Sequence, residues 1–188
     1  MLKGGTKVEK SAGYLTITAL MTAVICILGP FTIPIGPIPL SLSSLGIYLA
    51  VLLLGRKNGS LSVLLYLLIG LAGIPVFSGF SAGAGKLFGP TGGYLLGYLL
   101  LAVVSGWFLE QLQGKSRISE AIALGVGTIC MYIPGAVWLG IQSGMDFSTI
   151  IISGVLLFVP GDMLKISVAI LLGKRIKTRV NSGFFTKN

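Results

Sequence analysis

Apolar residues in this chain do not alternate with polar ones; they gather into six blocks, at about 12–29, 41–55, 60–75, 92–112, 118–141 and 149–173. A helix needs about 20 consecutive apolar residues to cross a hydrocarbon core. In lipid a helix is also one of only two structures that satisfy every backbone polar group internally. The pattern predicts an all-α membrane protein of six transmembrane helices. It forms a single integral-membrane domain over residues 1–188, with tails at 1–11 and 174–188. The second and third blocks are short, about 15 residues each. The opening KGGTKVEK and the apolar run behind it have the outline of a secretion signal. No small-residue cleavage pattern follows and five more apolar blocks do, so the first block reads as an uncleaved span.

The connections between blocks fall into two kinds. GRKNGS and QGKSRISE are short and polar, as plain turns should be. GPFTIPIGPIPLS carries Pro30, Pro34, Pro37 and Pro39, and proline fixes φ and lacks an N–H donor, so this stretch is expected to be extended and stiff. IPVFSGFSAGAGKLFGPTGGY is rich in Gly and Ser and nearly free of charge. Irregular backbone of this kind is tolerated at membrane depth only against protein or a water-filled cavity. Two such loops on one face suggest a cap over a site.

Charge fixes the orientation. With the N-terminus inside, the inner face holds Lys3, Lys7, Lys10, Arg56, Lys57, Lys115, Arg117, Lys174, Arg175, Lys177, Arg179 and Lys187, and the outer face holds Lys86 alone. Excess Lys and Arg marks cytoplasmic loops, so both termini are expected in the cytoplasm. Hydrophobic residues make up 54% of the chain and charged ones 10%, against about 25% charged in soluble domains. The net charge of +9 raises nucleic acid as a partner, but the basic residues cluster between apolar blocks, which points to a lipid bilayer and no nucleic acid. Histidine is absent, and Cys26 and Cys130 lie in separate apolar blocks without CxxC spacing. No metal or catalytic set emerges, and no cofactor is expected. A Ser–Lys hydrolase pair would need Ser153 or Ser167 placed on Lys165, and nothing in the sequence places either.

GAGKLFGPTGG resembles a phosphate loop and fails in detail. That motif needs G-x-x-x-x-G-K-S/T, whereas Leu87 follows Lys86 and Gly79 is one residue out of register. The loop is a flexible connection or a lining whose bare backbone approaches a ligand. Phe77, Phe80, Phe88 and Tyr94 flank it, either as interface anchors or as walls of an apolar pocket. Ala19 and Ala23 stand four apart on one helical face, suited to packing within the chain or to docking another membrane protein. Pairs at Gly93/Gly97 and Gly140/Gly144 repeat the pattern.

The sharpest signal is Asp162 and Lys165 in LLFVPGDMLKISVAILLGKR. A charge at a helix centre costs about 2.5–3.5 kcal/mol on insertion scales, and a spacing of three puts both on one face. A structural ion pair accounts for their neutrality. A polar centre that receives a ligand group or relays an ion also accounts for their retention, since apolar side chains often replace such a pair without loss. Pro160 and Gly161 can break the span just before them.

IPIGPIPLSLSSLGIYLAVLLLGRKNGSLSVLLYLLIGLAGIPVF, GPTGGYLLGYLLL and PGDMLK together resemble the BioY family, the biotin-specific substrate-binding (S) component of energy-coupling factor (ECF) vitamin transporters. The likeness spans roughly residues 15–173. It implies a six-helix S-component fold in a prokaryotic cell membrane, with biotin as bound substrate and no enzyme activity. The implied partners are a membrane coupling subunit and two cytoplasmic ATPases. On this resemblance Ala19 and Ala23 form the docking face, and Asp162 and Lys165 the final-helix acid and lysine of the site. Lys165 would meet the biotin carboxylate; Asp162 would accept from a ureido N–H or steady Lys165. Phe77, Phe80, Tyr94 and the Gly/Ser backbone at Ser81 and Gly83 would surround the rest. Ser43 stands where the family pattern carries a glutamine, so a ligand contact made by that glutamine would here come from the serine, a water or another residue. The rival reading is a stand-alone secondary transporter that uses Asp162 as a proton site.

Overall fold

A computed structural model describes residues 5–34, 39–112 and 116–184; Lys3, Pro37, Lys115 and Lys187 lie outside the described residues. The chain is mostly helical. Helix α1 spans Gly5–Leu28, α2 Ser43–Leu71, α3 Ala84–Leu87, α4 Gly92–Gln111, α5 Arg117–Ser143, α6 Phe147–Ile151 and α7 Val159–Phe184. A π-turn over Ile152–Leu156 joins α6 to α7. Both expected tails are partly helical, since α1 begins at Gly5 and α7 runs on to Phe184. Among the described residues, four runs are long and apolar enough to cross a membrane: Ser43–Leu71, Gly92–Gln111, Arg117–Ser143 and Phe147–Thr178; Gly13–Leu28 is a shorter apolar helix.

Helix α2 is the element that differs most from the expected pattern. The sequence predicts two spans joined by a polar turn at GRKNGS, and the break is a single residue. Gly55 sits at φ 72°, ψ −168°, a region essentially only glycine occupies. The chain folds back there, so that a side chain at Gly59 would stand 3.0 Å from the Val51 Cα, and Ser43 meets Tyr66 across the same seam. Residues 43–54 and 56–71 therefore form an antiparallel hairpin with arms of ~18 and ~24 Å. Arg56 and Lys57 are exposed at its tip.

Small residues set the remaining contacts. Helices α4 and α5 run antiparallel, close enough that a Cβ on Gly97 would lie 2.9 Å from the Met131 carbonyl; such approach substitutes for the hydrophobic drive that lipid removes. Gly93 faces Trp138 on the same seam, so that glycine pair packs within the chain. Helix α1 is pinned to the second arm of α2 by hydroxyls: Ser62 Oγ donates to Thr18 O (3.1 Å) and Thr22 Oγ1 to Ser62 O (3.4 Å). The first arm of α2 and α7 run parallel, with Leu40 against Gly161, Ser44 against Lys165 and Leu52 against Gly173, a constant offset of 121 residues. That register brings the starts of α2 and α7 side by side.

The irregular segments gather at one end. Thr32–Ile33 pairs antiparallel with Leu40–Ser41, the extended backbone expected of the proline-rich loop. Gly79 N donates to Pro30 O (3.0 Å), which ties this ladder to the Gly-rich loop. Trp138 Nε1 donates to Gly89 O (3.0 Å) and Gln142 Nε2 to Phe88 O (2.9 Å), tying that loop to α5. Lys86 is at this end, half-buried, and burial pushes its ammonium below the usual lysine value. At the opposite end Arg56 pairs with Glu110 and Lys177 with Glu120. Ser116 caps α5 there by accepting from Ser119 N at 3.0 Å.

Candidate functional site

The break between α6 and α7 places the charged pair. The π-turn accommodates one extra residue, with Leu157 N donating to Ile152 O, and π-turns recur at functional sites. Tyr94 OH donates to Gly154 O within it (2.7 Å); a Cβ on Gly154 would stand 2.7 Å from that hydroxyl, so only glycine leaves it room. Helix α7 then restarts with Pro160 in its first turn, where a missing N–H costs little. Asp162 is in that first turn, which a helix dipole favours for an anion. The pair thus follows a break within the Phe147–Thr178 run, at the start of the restarted helix.

Asp162 is 5% exposed and Lys165 7%, and each has protein partners. Lys165 Nζ donates to Asp162 Oδ1 (3.0 Å), Ser44 Oγ (3.0 Å) and Ser41 O (2.7 Å), which uses all three ammonium donors. Ser44 Oγ spends its one proton on Asp162 Oδ1 (3.1 Å). Tyr132 OH donates to Asp162 Oδ2 at 2.5 Å, the short end of the charge-assisted range. Three elements thus converge on one carboxylate: α2 through Ser44, α5 through Tyr132 and α7 through Lys165. Their charges cancel, which is what a buried site requires.

A cavity of about 350 Å³ opens on this network. Its wall includes Ser41, Ser44, Tyr98, Tyr132, Asp162 and Lys165, with Leu40, Met131 and Phe158 supplying apolar surface. A second cavity of about 310 Å³ adjoins it across Pro39, Ser41, Tyr94 and Tyr98 and reaches Ser78 and Thr91 of the loop end. Among the described residues, none besides Asp162 and Lys165 brings a charge to either cavity wall.

Four of the expected site residues meet here. Asp162 and Lys165 line the first cavity, Ser43 the second, and Tyr94 both. Ser41 Oγ spends its proton on Gly29 O (2.9 Å), so Ser43 donates to Ser41 (2.7 Å) and Tyr66 to Ser43 (3.3 Å). Phe77, Phe80, Ser81 and Gly83 do not line either cavity. Phe77 is fully buried, edge-on to Tyr66 at 5.5 Å and seated on Gly70. Phe80 is 64% exposed at φ 56° and meets Phe31 edge-on at 5.9 Å. Ser81 bonds back to Ser78 O (2.8 Å), and Gly83, at φ +81°, caps α3. The loop contributes Ser78 instead. Ala19 and Ala23 are exposed on α1. Sequence reasoning missed Ser44, Tyr98 and Tyr132. A signal for the two tyrosines existed, because tyrosine in membrane proteins favours the interfaces and these lie inside apolar blocks.

A family model described as the BioY family matches residues 5–182. The chain belongs to the BioY family. Among its relatives, this BioY chain is 39% identical over 170 residues to the biotin transporter BioY of Lactococcus lactis subsp. cremoris (strain MG1363), covering 87% of this chain and 89% of that one. It is 37% identical over 158 residues to the biotin transporter BioY of Thermotoga maritima, covering 84% and 92%. Its structure is similar, with a TM-score of 0.84 and 36% identity over 95% of both chains, to the crystal structure of the S-component for biotin from an ECF-type ABC transporter.

Proposed function

We propose that this chain is the biotin-binding membrane subunit of an ECF-type, ATP-driven vitamin importer. It takes biotin from outside and passes it inward through a membrane coupling subunit and two ATPases. The observation that carries this reading is the electroneutral donor–acceptor set of Asp162, Lys165, Ser44 and Tyr132 at the wall of an otherwise uncharged cavity. Biotin offers a neutral ureido group with two N–H donors and one carbonyl acceptor, an apolar ring and chain, and a terminal carboxylate. A carboxylate against Asp162 would bury two like charges together, which neither tolerates. The ureido head therefore belongs at Asp162, and the carboxylate in the second cavity towards Ser78 and Thr91. The filled donor set of Lys165 favours this pose over the one in which Lys165 receives the carboxylate.

In the membrane the six spans are α1, the two arms of α2, α4, α5 and the α6–α7 run. The end holding Arg56, Lys57, Arg117, Lys174, Arg175 and Lys177 faces the cytoplasm of a prokaryotic cell, together with both termini. The short arms of α2 leave the apolar loops to complete the outer half of the protein. Lys86 and its glycines do not form a nucleotide loop, so the energy comes from the partners.

Proteoliposomes test the transport reading. Labelled biotin is expected to accumulate only when the chain is reconstituted with the coupling subunit and ATPases and supplied with ATP. Accumulation by the chain alone under an imposed proton gradient would contradict it and assign Asp162 to proton coupling.

A further inference from the structure

The floor of the first cavity holds one more constraint on what can bind. An ionised carboxylate offers about four lone-pair directions. On Asp162 two of them, both at Oδ1, are filled by Ser44 and Lys165, and one at Oδ2 by Tyr132. One acceptor direction is left, on Oδ2, in a residue that lines the cavity. Tyr132 shares that oxygen, is itself buried, and reaches it from α5, so its hydroxyl fixes the rotation of the carboxylate. That restraint aims the single acceptor left open. The other tyrosines here cannot substitute: Thr128 Oγ1 spends its proton on Leu124 O (2.8 Å), so the Tyr48 proton goes to Thr128 (2.8 Å); Tyr94 donates to Gly154 O; and Tyr98 is directed to Ser41 and Ser43.

We propose that Tyr132 is a positioning residue that makes the site selective for a ligand head bearing an N–H donor, acting through Asp162 Oδ2. The proposal rests on the biotin reading above. Without Tyr132 the carboxylate is free to turn its open lone pair away from the cavity, and a head with an acceptor in place of its N–H would then bind nearly as well. With Tyr132 donating, that exchange sets lone pair against lone pair, a mismatch that a buried hydrogen-bonding site rejects strongly.

The test uses the purified full chain, biotin, and the two cyclic carbamate analogues in which one ureido N–H is replaced by a ring oxygen. Wild type is expected to prefer biotin to at least one carbamate by about 100-fold or more. Tyr132→Phe should weaken biotin about tenfold, within the range seen when an outer partner of a binding group is removed, while leaving that carbamate unchanged, so discrimination falls by the same factor. Replacing Tyr132 with 4-aminophenylalanine, isosteric but a weaker donor, should give an intermediate ratio and covers the case in which the Phe variant does not fold. Equal binding of biotin and both carbamates to wild type would overturn the proposal. So would an equal loss for all three ligands in the variants, which is the mark of a merely structural tyrosine, or an unchanged biotin affinity. Failure of wild type to bind biotin at all would instead overturn the biotin reading, and this proposal with it.

Discussion

Lys165→Met is expected to raise the biotin Kd by about 100-fold or more and to destabilise the protein by about 3–5 kcal/mol, the cost of leaving a buried charge without its partner. The ammonium holds Asp162, Ser44 and the Ser41 carbonyl at once, so its loss both unpairs the carboxylate and frees the strand beside it. Asp162 is then a buried charge without its partner, and the acceptor it offers the cavity is no longer held in place. The double variant Asp162→Leu/Lys165→Met separates structure from function. Well-packed apolar residues often replace a buried pair without loss of stability, so thermal stability in detergent should recover towards wild type while binding stays absent. Normal biotin affinity in the double variant would make the pair structural only.

Ala19→Leu/Ala23→Leu should abolish ATP-driven uptake in the reconstituted complex and leave biotin binding to the isolated chain unchanged. The two alanines are exposed on α1, whereas Thr18, Met21, Thr22 and Ile25 of the same helix are buried against the rest of the molecule. Leucine at 19 and 23 therefore meets lipid in the isolated chain, where it is well tolerated, and the binding cavities lie on other elements. A small-xxx-small face lets another helix approach closely; two isobutyl groups would hold that helix off. Uptake at the wild-type rate would remove α1 from the docking role, and a parallel loss of biotin affinity would point to a distorted helix instead.

Much of this architecture is legible in the sequence because lipid imposes simple rules. Apolar length marks the spans, and the contrast between GRKNGS and IPVFSGFSAGAGKLFGPTGGY marks which end carries the irregular backbone. Asp162 and Lys165 stand out because charge is rare at that depth, and their spacing of three already puts them on one face. The partners of that pair were not legible. Ser44 lies 118 residues from Asp162 and Tyr132 lies 30 away, and only the parallel register of α2 and α7 and the packing of α5 bring them together. The Gly-rich loop misled for a different reason. Its aromatics read equally as pocket walls or anchors, but the loop turns Phe77 inward onto Gly70, where the missing Cβ leaves room for the ring, and Phe80 outward onto Phe31. The reversal between the second and third blocks was legible in GRKNGS; what periodicity could not show is that Gly55 alone, at positive φ, makes it.

The central claim is that biotin occupies the cavity floored by Asp162 and Lys165. Calorimetric titration of biotin into the detergent-purified chain, freed of bound small molecules beforehand, tests it most directly. Saturable binding at one site per chain, lost in Asp162→Leu/Lys165→Met while the variant stays folded, is the predicted result. No saturable binding to wild type, or the same affinity in both proteins, would contradict it.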